Sequence, residues 1–330
     1  LESWAVERID DNALTLDYAA WRLGDDDWSA GAVPVLEIQN CLNAEKYVGG
    51  LSLRHTFKVG DLASGRKLQL VLEHPEHCRI LLNGEELSYE GLPYWRDIRW
   101  LPIDITGKVH SGENEIVLEY ADFKHGDLTV VEPATDRYGT EIESIYIVGD
   151  FSVVGQTTGS AQLQPRFEQW DVPPVPVDTL LRSCIELGEP APLVKGDVTR
   201  QGLPFYAGRI AMRCEIAGVP DKDGCVCLEL EKLLAPVAEV QIDGHPVGHF
   251  QAHPFSVDVS DALSDGKVHE LTIIVYSTLR NLLGPHHHAD GELIEVGPDH
   301  FFSHDMVAQS DRVGALQQWA AGKYIPTDWR

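Results

Sequence analysis

Short runs in which apolar and polar residues alternate fill most of the chain, and Gly, Pro, Asn and Asp separate them. In residues 112–120, for example, Ile116 and Leu118 alternate with residues of different character. Alternation places every second side chain on the same face of a β-strand. A sustained helical period is scarce, and residues 307–321, which Pro326 would end, are the best helical candidate. The pattern therefore predicts an all-β chain with a short helical C-terminal segment.

The same order of sequence elements occurs twice, at an offset of about 160 residues, which is far longer than the periods of solenoid repeats. The first copy consists of residues 47–54, 80–85, 102–105 and 112–120. The second copy consists of residues 205–213, 240–245, 255–259 and 266–276. A repeat of this length predicts the duplication of a whole domain.

Each copy contains a dipeptide that is typical of a tight hairpin. Asn83-Gly84 and Asp243-Gly244 lie between short alternating runs. Both dipeptides tolerate the positive φ angles that a type I′ turn requires. The sequence therefore predicts one β-hairpin at the same place in each copy.

Chain length and composition agree with two cores, because 330 residues with 43% hydrophobic content exceed what a single core usually holds. Residues 169–177 contain Pro173, Pro174 and Pro176, and prolines favour an extended path that interrupts sheet pairing. The predicted division begins with a leader of packed strands (residues 1–29) and a first sandwich (30–165). A Pro-rich connector (166–194), a second sandwich (195–300) and a partly helical tail (301–330) follow.

The balance of charge excludes several classes of partner. With 26 Lys and Arg against 52 Asp and Glu, the formal charge is −26, which repels nucleic acids and anionic membranes and favours neutral or cationic ligands. No apolar run approaches the roughly 20 residues needed to span a bilayer, so we expect a soluble chain. The chain opens on a strand-like pattern from Trp4 without an initiator Met, which predicts a piece of a longer protein and leaves its cellular compartment open.

Several motifs in this order resemble those of a known family. The Asn83-Gly84 turn, Leu-Pro-Ile-Asp-Ile-Thr at residues 101–106 and residues 111–120 together resemble the sugar-binding jelly-roll domain of glycoside hydrolase family 2. Residues 203–208 and 279–287 look like the C-terminal β-sandwiches of large bacterial rhamnosidase-like hydrolases. The resemblance covers both copies. This chain departs from it at residues 88–99, where Tyr94, Trp95 and Arg96 replace the usual Gly-rich loop, and at Asp243, where Asn is more typical. It implies two tandem galactose-binding-like jelly-roll β-sandwiches from a bacterial multidomain enzyme.

The resemblance also implies a division of labour. In such enzymes a separate barrel domain of the same polypeptide carries the catalytic acids, and the sandwiches support that barrel or contact glycan. We therefore expect an accessory, carbohydrate-binding pair of domains whose partners are neutral oligosaccharide or polysaccharide and the barrel, with no cofactor and no bound metal. Two alternatives stay open: a glycosidase active in its own right through loop carboxylates, and a purely structural or interaction module. Acidic runs such as Glu85-Glu86, residues 25–27 and the pair Glu141 and Glu143 are expected on exposed turns and strand faces.

Two loops carry the residue types that sugar sites use, namely aromatic faces for the apolar side of a pyranose and polar groups for its hydroxyls. They occupy equivalent places in the two copies, and their candidate ligand-binding residues are Tyr94, Trp95, Arg96 and Trp100 in the first and Phe250 and His253 in the second. The alternative is that these aromatic side chains cover the ends of the sandwiches or the seam between them.

A cluster of histidines follows Gly284-Pro285. His286 and His287 are the candidate ligand-binding residues here, because their ring nitrogens can reach the substrate of a partner domain. Three consecutive side chains of a loop point in different directions, which argues against a metal site. A packed or solvent-facing loop is the alternative.

Cys225 and Cys227 flank Val226, so the pleat of a strand places both sulfurs on one face. The six cysteines are scattered through a large chain, a distribution typical of free thiols in the core. A metal-binding or redox pair is the alternative.

Overall fold

The computed structural model describes residues 3–89, 91–126, 139–155, 157–163, 175–180, 185–220, 224–233, 235–283, 286–288 and 324–326. Strands dominate these residues, as the sequence predicts. In chain order the strands are β1 Ala5–Arg8, β2 Asn12–Leu16, β3 Tyr18–Leu23, β4 Val33–Pro34, β5 Val48–Val59, β6 Leu68–Glu73, β7 Arg79–Leu82, β8 Glu85–Leu87, β9 Trp100–Asp104, β10 Gly112–Lys124, β11 Ile145–Gly149, β12 Ser152–Val154, β13 Thr157–Leu163, β14 Val175–Leu180, β15 Glu186–Gly188, β16 Arg209–Ala217, β17 Cys227–Glu229, β18 Val237–Ile242, β19 His245–Phe250, β20 Ser256–Asp258, β21 Val268–Tyr276, β22 His286–His288 and β23 Tyr324–Pro326.

Two sheets of the first half pack face to face. One has the order β12-β15-β5-β10-β7-β8, with β3 also paired to β5, and the other has the order β2-β11-β6-β9. Leu53 and Ile116 of the first sheet share a core with Leu70 and Ile147 of the second, and all four side chains are buried. The first half is therefore a β-sandwich.

The long strand β10 shows why these residues form a sheet. Asn114, Ile116, Leu118 and Tyr120 are buried, and the residues between them are more exposed. Because the pleat turns alternate side chains to opposite faces, this pattern buries one face of β10 and leaves the other on the surface. The alternation predicted for residues 112–120 is confirmed.

The second half repeats the strand order of the first. Its five-stranded sheet has the order β1-β16-β21-β18-β19. The corresponding strands of the first half are paired in the equivalent order, β3-β5-β10-β7-β8. A small sheet of β17 and β20 stands where β6 pairs with β9. Val240 and Leu271 of the larger sheet share a core with Val257 and Leu228 of the smaller one.

Both predicted hairpins are confirmed. Asn83 and Gly84 have φ angles of 52° and 83°, and Asp243 and Gly244 have φ angles of 49° and 77°. These positive values are those of a type I′ turn. The first dipeptide joins β7 to β8 and the second joins β18 to β19.

An α-helix that the alternating pattern did not predict lies at the start of the first half. Helix α1 spans Val35–Ala44 and buries Val35, Ile38 and Leu42. Their spacing of three and four residues places them on one helical face. Three apolar positions in a helix of this length gave a weaker sequence signal than the strands around it. The predicted helix at residues 307–321 lies outside the described residues.

The Pro-rich connector contains a paired strand, although its prolines predicted an interruption of pairing. Strand β14 pairs antiparallel with β13, and Pro176 stands opposite Gln162. The two strands form a sheet of their own, so each has an open edge. A proline, which has no N–H, is tolerated on such an edge.

Three short 3-10 helices complete the described elements, at Pro75–His77, Val198–Arg200 and Leu279–Leu283. Among the described residues, no helix combines the length and the apolar character that crossing a bilayer requires.

Candidate functional site

The loop between β8 and β9 closes on itself and brings two tryptophans together. The backbone N–H of Trp95 donates to the carbonyl of Trp100 at 2.8 Å, and the N–H of Trp100 donates to the carbonyl of Asp97 at 3.0 Å. Arg96 adopts a φ of 58°, in the left-handed region that reverses the chain. The rings of Trp95 and Trp100 are consequently stacked, with centroids 5.5 Å apart and planes inclined by 25°.

A third aromatic ring comes from a strand far away in the sequence. The ring of Tyr146, on β11, lies 5.0 Å from that of Trp100 and 5.8 Å from that of Trp95. Tyr146 lies between Ile145 and Ile147, which are buried in the core, so its ring is on the outer face of the sheet. Trp95, Trp100 and Tyr146, which we call the aromatic cluster, are each partly exposed and also pack against buried residues of the first half.

Glu73 borders the aromatic cluster at a defined place. It stands opposite Trp100 in the pairing of β6 with β9, and its Oε1 accepts a hydrogen bond of 3.1 Å from Trp100 Nε1. This bond fixes the orientation of the Trp100 ring, because an indole has only one donor. The cluster thus has an oriented ring with a carboxylate at its edge.

Glu143 is a second carboxyl group near the cluster. Burial of the carboxyl raises its pKa to about 7, with further contributions from the negative charges of Glu73 and Glu141. The residue as a whole is exposed, so solvent weakens these effects. Burial, followed by the charges of Glu143 and Glu73, raises the pKa of the Tyr146 hydroxyl, which therefore keeps its proton.

Sequence reasoning identified only part of this group. Trp95 and Trp100 were predicted, whereas Tyr146 and Glu73 were not, and Glu143 was noted only as one of many acidic residues. The alternation of β11 is a signal that could have revealed Tyr146, since it puts an aromatic side chain on the face opposite Ile145 and Ile147. Glu73 depends on the register of β6 with β9, which the sequence does not specify.

The other two predicted residues of this loop have different surroundings. Tyr94 is 57% exposed. Arg96 turns towards the N-terminal segment, and its guanidinium lies 3.3 Å from Asp10 Oδ2. Arg96 is therefore part of an ion-pair group at the seam between the two halves.

Asp10 is the centre of that group. Its Oδ2 accepts hydrogen bonds from the backbone N–H and Nε of Arg209, at 2.8 and 3.0 Å, and its Oδ1 accepts one from Arg209 Nη2 at 3.0 Å. Burial acts to raise the pKa of Asp10, but the bonds from Arg209 outweigh burial and lower it. Asp10 lies between β1 and β2, which belong to different sheets. The group therefore ties the two halves together.

The equivalent loop of the second half contains no such cluster among its described residues. Phe250 is 2% exposed, because the last position of β19 turns into the core, and its ring is enclosed there. His253 is exposed, and its ring lies 4.1 Å from that of Phe255. The structure thus does not bring Phe250 and His253 together with the four residues of the first loop.

His286 and His287 form part of a strand, although the sequence predicted a loop. Strand β22 pairs antiparallel with β23, so that His287 stands opposite Ile325. The structure describes only the backbone of these residues. Their predicted contact with ligand stays a prediction.

A cavity of about 940 Å³ lies in the second half, away from the aromatic cluster. Its walls include Val6, Ile210, Met212 and Val275, with Arg200 among the polar residues. Most of its exposed wall surface is apolar, although several polar and charged side chains also line it, and apolar surface cannot replace the hydrogen bonds that a hydroxyl-rich ligand makes with water. The aromatic cluster offers ring faces together with carboxylates, and we therefore regard it as the candidate site.

Two groups of described residues have metal-ligating atoms close together. One is His74, Glu76 and His77, and the other is Cys225, Cys227 and Asp258. Both cysteines are exposed, so their predicted place in the core is wrong. Their predicted location on one face is confirmed, because the two sulfurs are 3.1 Å apart.

Comparison with known proteins gives matches only among solved structures. No family model matches the chain, and no curated protein matches it. A β-galacturonidase of glycoside hydrolase family 2 from Eisenbergiella tayi, bound to galacturonate, is similar over 80% of this chain and 36% of its own, with 10% identity and a TM-score of 0.31. A rhamnosidase from Novosphingobium sp. PP1Y is similar over 84% and 21%, with 17% identity and a TM-score of 0.23.

A β-D-glucuronidase from Dictyoglomus thermophilum is similar over 68% of this chain and 43% of its own, with 15% identity and a TM-score of 0.27. The chain thus spans less than half the length of these three structures. Similarity at this level carries no information on ligand or reaction. The chemistry of the site rests on its own residues.

Proposed function

We propose that this chain is a pair of galactose-binding-like jelly-roll sandwiches from a multidomain glycoside hydrolase and that the aromatic cluster binds neutral glycan. The observation that carries the proposal is the stacked pair Trp95 and Trp100, with Tyr146 beside it and Glu73 fixing the Trp100 ring. A pyranose has an apolar face that packs on aromatic rings and a rim of hydroxyls that needs directed hydrogen bonds. The cluster supplies both kinds of contact.

The tandem arrangement is supported by the repeated strand order. The larger sheets of the two halves have the same strand order, β3-β5-β10-β7-β8 in one and β1-β16-β21-β18-β19 in the other. In each sheet a type I′ turn joins the two strands of the hairpin. Their division into bodies at residues 30–165 and 195–300, with a catalytic barrel of the same polypeptide as partner, is part of the proposal. The coding sequence beside this region of the gene tests it, because the proposal requires a barrel domain there.

Charge favours a neutral glycan over an acidic one. Glu73 borders the cluster, Glu143 lies near it, and the whole chain carries a formal charge of −26. A uronic acid or sulfated sugar would bring a further negative charge to this surface. We therefore expect neutral oligosaccharides to bind more tightly than acidic ones of equal length.

Tryptophan fluorescence during titration with a panel of neutral oligosaccharides tests the binding. Trp28→Phe is the matched control, because the Trp28 ring packs against Arg22 on β3 and Arg54 on β5, which belong to the other sheet. The guanidinium carbons of these arginines lie 4.8 and 4.4 Å from the ring centroid. We expect a saturable change that Trp95→Ala abolishes and Trp28→Phe retains. If no oligosaccharide gives a saturable change in the unsubstituted chain, the proposal of glycan binding is wrong.

Catalysis by the chain itself is a second candidate, and the raised pKa of Glu143 is the observation that favours it. A carboxyl with a pKa near 7 beside a second carboxylate is the arrangement from which glycosidases obtain a general acid. Hydrolysis of aryl glycosides by the purified chain, lost in Glu143→Gln, would support this function. Equal rates of hydrolysis by the unsubstituted chain and by Glu143→Gln would exclude Glu143 from this catalysis.

A further inference from the structure

Cys225 and Cys227 form a pair of thiols on the surface of the second half. Their sulfurs are 3.1 Å apart, and both residues are exposed. Val226, between them, packs against the core. Val226 is partly buried, whereas the cysteines on either side of it are exposed, so both thiols face solvent.

A carboxylate completes the group. Asp258, on β20, stands opposite Cys227 on β17, and its ligating oxygen and the two sulfurs all lie within 4.8 Å of one another. Ser260 fixes Asp258, because its Oγ and its backbone N–H donate to Asp258 Oδ1 at 2.6 and 2.9 Å. The N–H of Val226 in turn donates to Ser260 Oγ at 2.8 Å, which ties the carboxylate to the strand of the thiols.

The distance between the sulfurs suits a metal ion better than a disulfide. Two thiolates on tetrahedral Zn²⁺, each about 2.3 Å from the ion, stand about 3.8 Å apart. The present 3.1 Å reaches that value with small side-chain rotations. A disulfide needs about 2.05 Å, and hence a larger movement of the two sulfurs towards each other.

We propose that Cys225, Cys227 and Asp258 bind a thiophilic divalent transition-metal ion such as Zn²⁺, with water in the fourth position. Two thiolates and one carboxylate are ligands that Zn²⁺ accepts in tetrahedral geometry, and three protein ligands leave one position open. The excess of 52 acidic over 26 basic residues attracts cations to the chain. Ca²⁺ and Mg²⁺ prefer ligand sets made of oxygen and are not expected to compete.

Binding of the metal ion releases a defined number of protons. The thiolate, not the thiol, is the form that ligates a metal ion, so each cysteine must lose its proton on binding. Each thiol gives its proton to solvent as its sulfur bonds to the ion, and no electron is transferred. One ion therefore releases up to two protons, and its affinity increases with pH.

Titration of the reduced, full chain with Co²⁺ tests the site, because thiolate ligation gives a charge-transfer band in the near ultraviolet and tetrahedral geometry gives strong visible absorption. We expect both signals at one ion per chain, loss of both on addition of Zn²⁺, and retention with excess Ca²⁺. Cys225→Ser and Cys227→Ser should each reduce the charge-transfer band at least twofold. Circular dichroism checks that the variants are folded.

Two matched controls separate this site from others. Cys214→Ser removes a cysteine on β16, outside the group, and His74→Ala disrupts the other group of metal-ligating side chains. Both should keep the charge-transfer band at full intensity. Undiminished charge-transfer absorption in the double variant Cys225→Ser/Cys227→Ser would contradict the proposal. So would a freshly purified chain whose mass shows a disulfide at this pair and whose reduced form binds no Co²⁺.

Discussion

Asn83 and Asp243 hold the same place in the two halves, and each accepts a 2.9 Å hydrogen bond from the backbone N–H of the strand beside its hairpin. Their second contacts differ. Asn83 Nδ2 donates to Asn114 Oδ1 at 2.9 Å. Asp243 Oδ2 lies 2.7 Å from His269 Nδ1, and His269 Nε2 lies 2.7 Å from Asp265 Oδ1. The first half thus fixes this turn with neutral amides, and the second half uses a histidine between two carboxylates.

The second half should consequently lose stability as pH rises. Hydrogen bonds with Asp243 and then Asp265 raise the pKa of His269 above its ordinary value of 6.5. A raised histidine pKa contributes stability that is fully present below the unfolded value and is lost as pH rises through the folded value. We expect the urea midpoint to fall as the pH rises above the ordinary histidine value, and this fall to be smaller in His269→Asn.

The control for this prediction is His245→Asn, an exposed histidine of the same hairpin. It should retain the pH dependence of the unsubstituted chain. An identical pH dependence in His269→Asn and the unsubstituted chain would show that His269 does not control it.

Glu143→Gln should stabilise the fold at neutral and higher pH. The pKa of Glu143 is raised to about 7, chiefly by burial, so its ionisation costs stability as pH rises from about 4.5 through 7. A shift of this size corresponds to about 3 kcal/mol without solvent screening, and exposure of the residue reduces the expected gain to about 1 kcal/mol. Unfolding in urea at pH 5 and pH 8 measures the effect, which should be clearly larger at pH 8, because pH 5 lies near the lower end of this range.

Glu113→Gln, which alters an exposed carboxyl on β10, is the control. It should change the free energy of unfolding equally at both pH values. A gain in Glu143→Gln that is as large at pH 5 as at pH 8 would disagree with the raised pKa.

Asp10→Asn should destabilise the protein by about 2 kcal/mol, because it removes charge-assisted hydrogen bonds from a partly buried carboxylate. The pKa of Asp10 is lowered, so its contribution is present above the ordinary value of 3.8 and is lost as pH falls through the folded value. Asp11→Asn is the control, because Asp11 pairs with Lys67, which is 58% exposed, and should cost less than about 1 kcal/mol. Equal losses in the two variants at pH 7 would count against a special role of Asp10 at the seam.

The sequence predicts local features of this fold well where one residue type decides the conformation. Asn83-Gly84 and Asp243-Gly244 require positive φ, and both turns form as predicted. The alternation of β10 likewise predicts which of its residues are buried. Helix α1 was missed because only Val35, Ile38 and Leu42 mark its buried face.

The candidate site depends on contacts that local patterns do not specify. Trp95 and Trp100 are neighbours in one loop and were found together, whereas Tyr146 reaches them only through the pairing of β11 with β6 and of β6 with β9. The pleat predicted that Cys225 and Cys227 share a face. It did not determine which face is buried, because that depends on the sheet packed against Val226.

Affinity electrophoresis through gels that contain neutral polysaccharides tests the central claim most directly, since retardation reports binding of the native chain to glycan. The account predicts that at least one polysaccharide retards the unsubstituted chain and the Trp28→Ala variant equally, and that Trp95→Ala and Trp100→Ala migrate as they do in a gel without polysaccharide. Two results would contradict the account. One is retardation that persists unchanged in Trp95→Ala and Trp100→Ala, and the other is that no polysaccharide retards the unsubstituted chain.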